Sequence, residues 1–157
     1  WFKVYYPVPF YAAYFTTKVA DFNSEVVLKG SGAILARIDE ILAKGKNATK
    51  KEEDEMTVLE VAYEMYSRGY EFEPINFGVS DGTKFYEHEG RVLLPFMAVS
   101  GIGETAAKAL ADECRIRPFE TIEELKSRTR ISNSNIESLK AMGVLEGMPE
   151  TDQLSMF

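Results

Sequence analysis

The stretch Phe96–Glu113, "FMAVSGIGETAAKALADE", decides how the chain is read. A short apolar helix candidate over Pro95–Val99 runs into Ser100-Gly101-Ile102-Gly103. A run with Ala106, Ala107, Leu110 and Cys114 at helical spacing follows directly. Two glycines around one apolar residue permit a tight hairpin, with the Ile102 side chain plugged inward and the backbone amides pointing outward at the positive end of a helix. Amides so placed hold a phosphate oxygen without any basic residue. The candidate contacts are Ser100, Gly101, Ile102 and Gly103, with Thr105 as a hydroxyl donor and Lys108, one turn further on, as an added charge.

A helix-loop-helix corner needs glycine for geometry alone, so GxG by itself leaves a structural corner and a phosphate site equally open. The wider pattern of short helix, apolar-x-Gly-apolar-Gly and Ala-rich helix is the helix-hairpin-helix form, which grips the DNA backbone without reading sequence. Downstream, "TIEELKSRTRISNSNIESLKAMGVLEGM" (Thr121–Met148) repeats the rhythm as a second, degenerate copy, with "ISNSN" where the first has "SGIG". Lys126, Arg128 and Arg130 line the approach to its turn, and a solvated helix end and a phosphate contact are both open there. Thr121 with Glu124 and Ser134 with Glu137 have capping-box spacing and predict helix starts.

Upstream, the chain reads as helices. Pro7 and Pro9 predict an extended approach to a helix over "FYAAYFTTKVADF", in which Phe10, Tyr11 and Tyr14 form an aromatic stripe. Ile34, Leu35, Ile38, Ile41 and Leu42 share one helical face that Gly45 closes. Thr49 and Glu52 form a capping box for a helix carrying Val58, Leu59, Ala62, Met65 and Tyr66 and ending at Gly69, while "KKEEDE" (50–55) reads as its solvated first turns. From Tyr70 to Phe96 the texture turns to short strands, with "KFYEHEGRVLL" a candidate hairpin. The expected fold is therefore mainly α with a small β-hairpin region (α+β), closed by a C-terminal tandem helix-hairpin-helix. A boundary is expected near residues 92–96.

Composition sets limits on function. At 157 residues and 45% hydrophobic content the chain can build a packed core. It has no apolar run long enough for a membrane span and no signal peptide, so it is expected in the cytoplasm. The net charge of −7 is opposite to that of a stand-alone nucleic-acid binder, so any DNA contact must come from a local device or from a larger protein of which this is a piece. The abrupt aromatic start at Trp1 supports the second. Cys114 reads as a core residue, and His88 lacks partners at metal-ligand spacing. Asp21, Asp39, Asp54, Asp81, Asp112 and Asp152 are scattered singly, which argues against two-metal phosphoryl transfer within the chain. An independent hydrolase is disfavoured for the same reason.

The last residues, "PETDQLSMF", carry a bare Leu, Met and Phe after an acidic stretch. They are either leftover packing residues or anchors kept for a partner. Together, "FKVYYPVPFYAAYF", "ILARIDEI", "TVLEVAYEMYSRGYEF", "LLPFMAVSGIGETAAKAL", "SLKAMGVLEGMP" and "QLSMF" resemble, in order, the C-terminal end of PolC-type bacterial DNA polymerase III. The chain departs from the pattern at Val79, where a basic residue is common before the serine matching Ser80, and at Met156, where Leu is usual. The resemblance implies fingers-domain sequence over residues 1–92, a duplex-binding helix-hairpin-helix domain over 93–148 and a flexible tail over 149–157. It implies that Gln153, Leu154, Ser155, Met156 and Phe157 bind the sliding clamp, with the Gln amide orienting the peptide and the apolar side chains filling a pocket. It implies primer-template duplex, the β clamp and the rest of the polymerase as partners, and a nucleoid-associated location. Catalysis and its Mg²⁺ then belong to the parent polymerase, with no catalytic residue and no cofactor in this piece. The competing reading is a free-standing helix-hairpin-helix adaptor for DNA repair or recombination.

Overall fold

The computed structural model describes residues 2–150, and the expected clamp motif, Gln153–Phe157, lies outside the described residues. The chain opens helically, with α1 (Phe2–Tyr5) leading into α2 (Pro7–Thr17). This corrects the expected extended approach: Pro7 stands in the first turn of α2, where its missing N–H has no intrahelical partner to lose and its fixed φ suits a helix start. Tyr11 and Phe15 of α2 are fully buried, and Phe15 packs edge-on against Phe22 and Phe72. Phe10 and Tyr14 flank them, partly buried.

Then come α3 (Ser24–Val27), α4 (Ser31–Lys44) and α5 (Lys50–Ser67). The Thr49–Glu52 capping box forms as expected. α5 ends in a Schellman turn, Tyr70 N–H donating to Met65 O and Gly69 N–H to Tyr66 O, with Gly69 at φ +90°. Two sequence expectations fail here. α4 buries Ile34 and Ile41 while Leu35 and Leu42 remain exposed, because the apolar stripe is wider than the strip of α4 that its neighbours cover. Glu55 of the "KKEEDE" run is buried rather than solvated, taking Arg37 Nη2 at 2.8 Å and Asn23 Nδ2 at 2.6 Å.

A three-stranded sheet follows: β1 (Phe72–Glu73), β2 (Tyr86–His88) and β3 (Arg91–Leu93), in the order β1-β3-β2. β2 and β3 form the expected hairpin, whose Glu89-Gly90 turn has φ of +51° and +79°, the left-handed pair that matches strand twist. Val92, Leu93, Leu94 and Phe96, where a boundary is expected, are buried, and the hydrophobic core runs on through them into the last three helices, α6 (Glu104–Ile116), α7 (Ile122–Thr129) and α8 (Asn133–Ala141).

The Asp81-Gly82 loop ties the two halves. Its carbonyls accept from Phe96 and Met97 N–H at 3.0 and 2.9 Å, and Asp81 meets Arg115 of α6 at 3.1 Å. Gly82 lies so close to α6 that a Cβ there would stand 3.0 Å from Lys108 Cα. The mainly α fold with a small β region is as the sequence indicates.

Candidate nucleic-acid interface

The first hairpin has the expected geometry. Gly101 has φ +87°, Ile102 beside it is 4% exposed, and Gly103 is the N-cap of α6. Ser100, Gly101, Gly103, Thr105 and Lys108 are exposed around this buried plug. The glycines are not equivalent. Gly101 needs its left-handed backbone, whereas Gly103 is extended and a Cβ there meets nothing within 4 Å.

The second hairpin repeats this geometry in a different register from the expected one. Arg130 takes the left-handed place of Gly101 with φ +57°, Ile131 is the buried plug, and Ser132 is the N-cap of α8. The matching units are therefore "GIG" and "RIS", and the helix starts at Ser132 rather than Ser134. Ser132, in extended backbone, accepts the Asn135 N–H at 3.2 Å, which pre-empts a cap two residues later. The two hairpins lie side by side: a Cβ on Gly101 would come within 3.2 Å of Asn135 Oδ1. α8 then closes on Gly143 as expected, with Val144 N–H donating to Leu139 O and Gly143 N–H to Lys140 O.

The helix N-termini differ in what occupies them. In α7, Thr121 Oγ1 accepts from Glu124 N–H, and the Pro149 and Glu150 carbonyls accept from Ile122 and Glu123 N–H, which also pins the chain at its last described residues. In α8, Ser132 serves. α6, of these three, has no side-chain cap, so its first-turn amides keep their donors for solvent or a ligand.

The basic residues sort in an unexpected way. Lys108 is paired with Glu104 at 2.8 Å, and that contact holds the Glu104 carboxyl below its usual range. Arg128, expected beside the second turn, folds away from it. Its guanidinium donates to the carbonyls of Glu113 and Arg117 at 2.6 and 3.1 Å, pairs with Glu113 and Glu124, and stacks 4.4 Å from the Phe119 ring centroid. It staples the end of α6 to α7, and its side chain is 13% exposed. Lys126 and Arg130 are exposed, with no ion pair among the described residues. Cys114 lies against the core, and burial pushes its thiol up to about 11. No group of His, Cys, Asp or Glu among the described residues is arranged to hold a metal ion, and no described helix is long and apolar enough to cross a membrane.

Sequence reasoning missed Arg130 as a hairpin residue because only glycine advertises a left-handed position. Alignment on the buried isoleucines would have found it.

Two buried plugs, each preceded by a left-handed residue and followed by a helix N-cap, define a helix-hairpin-helix protein. The chain belongs to the family described as "Helix-hairpin-helix motif", whose model matches residues 69–154. Over its whole length it is 49% identical to the DNA polymerase III PolC-type of Caldanaerobacter subterraneus subsp. tengcongensis. It is 41% identical to that of Halalkalibacterium halodurans and 38% to that of Bacillus subtilis, again over the whole chain. The resemblance to PolC-type polymerases is thus borne out across all residues, and the chain spans 11% of the length of these relatives.

Proposed function

We propose that this chain is the duplex-gripping and clamp-tethering portion of a replicative DNA polymerase of the PolC type. The observation that carries the DNA grip is the uncapped N-terminus of α6 beside the exposed Gly101 turn, set against a second hairpin of the same geometry. Residues 93–150 contain seven basic and nine acidic residues, so a general basic surface is not the device. Oriented amides and a helix dipole are, and they bind phosphate without reading sequence. Arg130 supplies the second hairpin's contact with a guanidinium. Its left-handed backbone is unfavourable for a side chain, and its head is exposed without an ion-pair partner among the described residues.

The test of the grip is Gly103→Asp. Gly103 is extended with open space around it, so Asp fits, caps α6, and puts a carboxylate where a phosphate would sit. The variant keeps or gains thermal stability and binds duplex DNA at least about tenfold more weakly at low salt. Unchanged binding would refute the site.

The tether rests on Gln153, Leu154, Ser155, Met156 and Phe157, an apolar peg behind the acidic "PETD". Large apolar anchors supply most of the energy of such a peptide interface. Calorimetric titration of a bacterial sliding clamp with this chain, and with a copy ending at Asp152, tests it: binding is lost on truncation, and binding by both forms refutes the tail. Polymerisation, with its Mg²⁺, is placed in the part of the longer polypeptide that this chain does not cover.

A further inference from the structure

The first helices carry a surface that the DNA grip does not use. Between residues 2 and 17 the sole charged residue is Lys3. Lys3 is turned toward the molecule, paired with Glu64 and lying 5.5 and 5.9 Å from the Phe10 and Tyr11 ring centroids. The uncharged residues beside it are open to solvent: Phe2, Val4 and Tyr6 are 46%, 68% and 53% exposed, and the Phe2 and Tyr6 rings lie tilted to one another at 5.7 Å. Tyr6, Pro9, Ala13 and Thr16 follow one another at helical spacing on one side of α2. That side borders a groove of about 530 Å³, mostly apolar, whose far wall is Lys84, Phe85, Tyr86 and Glu87; Tyr86 is 47% exposed, and Lys84 and Glu87 stand exposed beside it. At 150–250 Å² per aromatic side chain, Phe2, Val4, Tyr6 and Tyr86 expose on the order of 400 Å², within the range of the largest apolar patches on soluble monomers, which are often functional.

We infer that the α1–α2 face and the groove between α2 and β2 form the docking surface for another segment of the same, longer polypeptide, and that the segment is apolar where it lies against α1 and α2. The inference rests on the reading of this chain as part of a PolC-type polymerase. Two observations select that occupant. The relatives are about nine times as long as this chain, since it spans 11% of them, so most of their mass is available to cover this face. α1 and α2 bring no free charge to the face, and Lys84 and Glu87 at the groove's wall bring one of each sign, so the surface has no net positive charge to draw in phosphates. Small residues, Ala12 and Ala13, flooring the groove let a helix or strand approach α2 closely.

The experiment is hydroxyl-radical footprinting of the intact native polypeptide and of this chain alone, reading oxidation at Tyr6 and Tyr86. Leu42 and Ile116, 59% and 72% exposed but away from the patch, serve as internal references. Tyr6 and Tyr86 in the intact polypeptide fall below about a fifth of their rate in the isolated chain, as expected for residues moved to an interface core, once rates are normalised to the references. Equal rates overturn the inference. Protection that arises in the isolated chain and fades on dilution also overturns it, because the occupant is then a second copy. Ala13→Lys adds a readout: Ala13 is exposed, so the isolated chain keeps its thermal stability while the intact polypeptide loses some of its own. An immunoblot of the native polypeptide separates the two readings. A 17.7 kDa band refutes the longer chain itself, whereas a long chain with unprotected tyrosines refutes only the docking face.

Discussion

Arg130→Gly separates what Arg130 does for the fold from what it does for the ligand. Arg130 ends α7 with φ +57° and ψ +24°, where a side chain crowds the backbone at a cost of about 1–2 kcal/mol. Glycine removes that strain but loses roughly 0.5–1 kcal/mol through greater freedom in the unfolded chain. The net is a gain of about 0.5–1 kcal/mol, or a rise in Tm of about 1–4 °C for a domain of this size. The side chain makes no ion pair among the described residues, so little native contact is forfeited. Duplex binding moves the other way. Loss of one phosphate contact lowers the slope of log K against log salt by about 0.9 and weakens affinity several-fold at 0.1 M salt. Thermal unfolding by circular dichroism and fluorescence anisotropy against a duplex over a KCl series measure the two effects. Arg130→Lys, which keeps both the charge and the strained backbone, is expected to change neither appreciably. A Tm that falls in the Gly variant would refute the strain argument, and an unchanged salt slope would refute the phosphate contact.

Arg128→Met keeps the aliphatic stem over Phe119 but leaves the Glu113 and Arg117 carbonyls and the Glu113 carboxylate without their donor, while Glu124 keeps Arg117 at 3.0 Å. It is expected to cost about 2–4 kcal/mol in urea unfolding while the DNA salt slope stays constant. Gly82→Val drives a side chain into the Lys108 and Ala107 backbone, and a loss of about 1–3 kcal/mol, with α6 exchanging its amides faster than α5, checks that contact. Burial pushes the Asp81 carboxyl up, but the Thr83 and Lys84 amides and Arg115 more than offset it, so its folded-state pKa lies below the usual aspartate range. The stability it lends is present above the unfolded pKa of about 3.9 and lost as pH falls through the lower folded value. Asp81→Asn therefore narrows its stability gap to the parent chain as acid is added. A gap constant from pH 7 to pH 3 would refute that assignment.

Local chemistry made much of the molecule legible. The Thr49–Glu52 capping box, the Glu89-Gly90 hairpin turn and the glycine closures at Gly69 and Gly143 are signals within a few residues of one another, and each stands where its residues place it. Distant contacts were opaque. Nothing near Arg128 in sequence shows that it reaches back to Glu113 and Arg117, and nothing in "SDGTK" shows that Gly82 must let α6 pass. The Leu35–Leu42 stripe has good helical periodicity and is still half in water, because periodicity reports which residues could be buried together and not how much partner exists to bury them. Within the site, Gly101 was legible as a left-handed residue, while the equivalent place at Arg130 was hidden behind a side chain that such a backbone disfavours.

On the proposed grip, the distribution of charge around the first hairpin sets where a duplex would lie. On one flank, Ser100, Gly101 and Ile102 wall a groove of about 500 Å³ that also holds Asp21, Glu25, Glu52 and Glu55. Glu55 is engaged by Arg37 at 2.8 Å and Glu52 by Lys44, which leaves Asp21 and Glu25 without an ion pair among the described residues. Phosphates entering there would meet the carboxylates of Asp21 and Glu25 with Lys51 alone to offset them. On the other flank is the second hairpin, with Arg130 and Lys126 exposed and Asn135 beside Gly101. On that proposal, a backbone held on the α6 amides would continue toward α8 rather than into the groove, and the acidic flank would steer the DNA path as much as the hairpins do. If that is so, replacing Asp21 and Glu25, which make no ion pair among the described residues, with Asn and Gln strengthens duplex binding at low salt and leaves the thermal stability of the chain close to that of the parent. Binding that weakens in this double variant would place the duplex on the groove side and overturn the path.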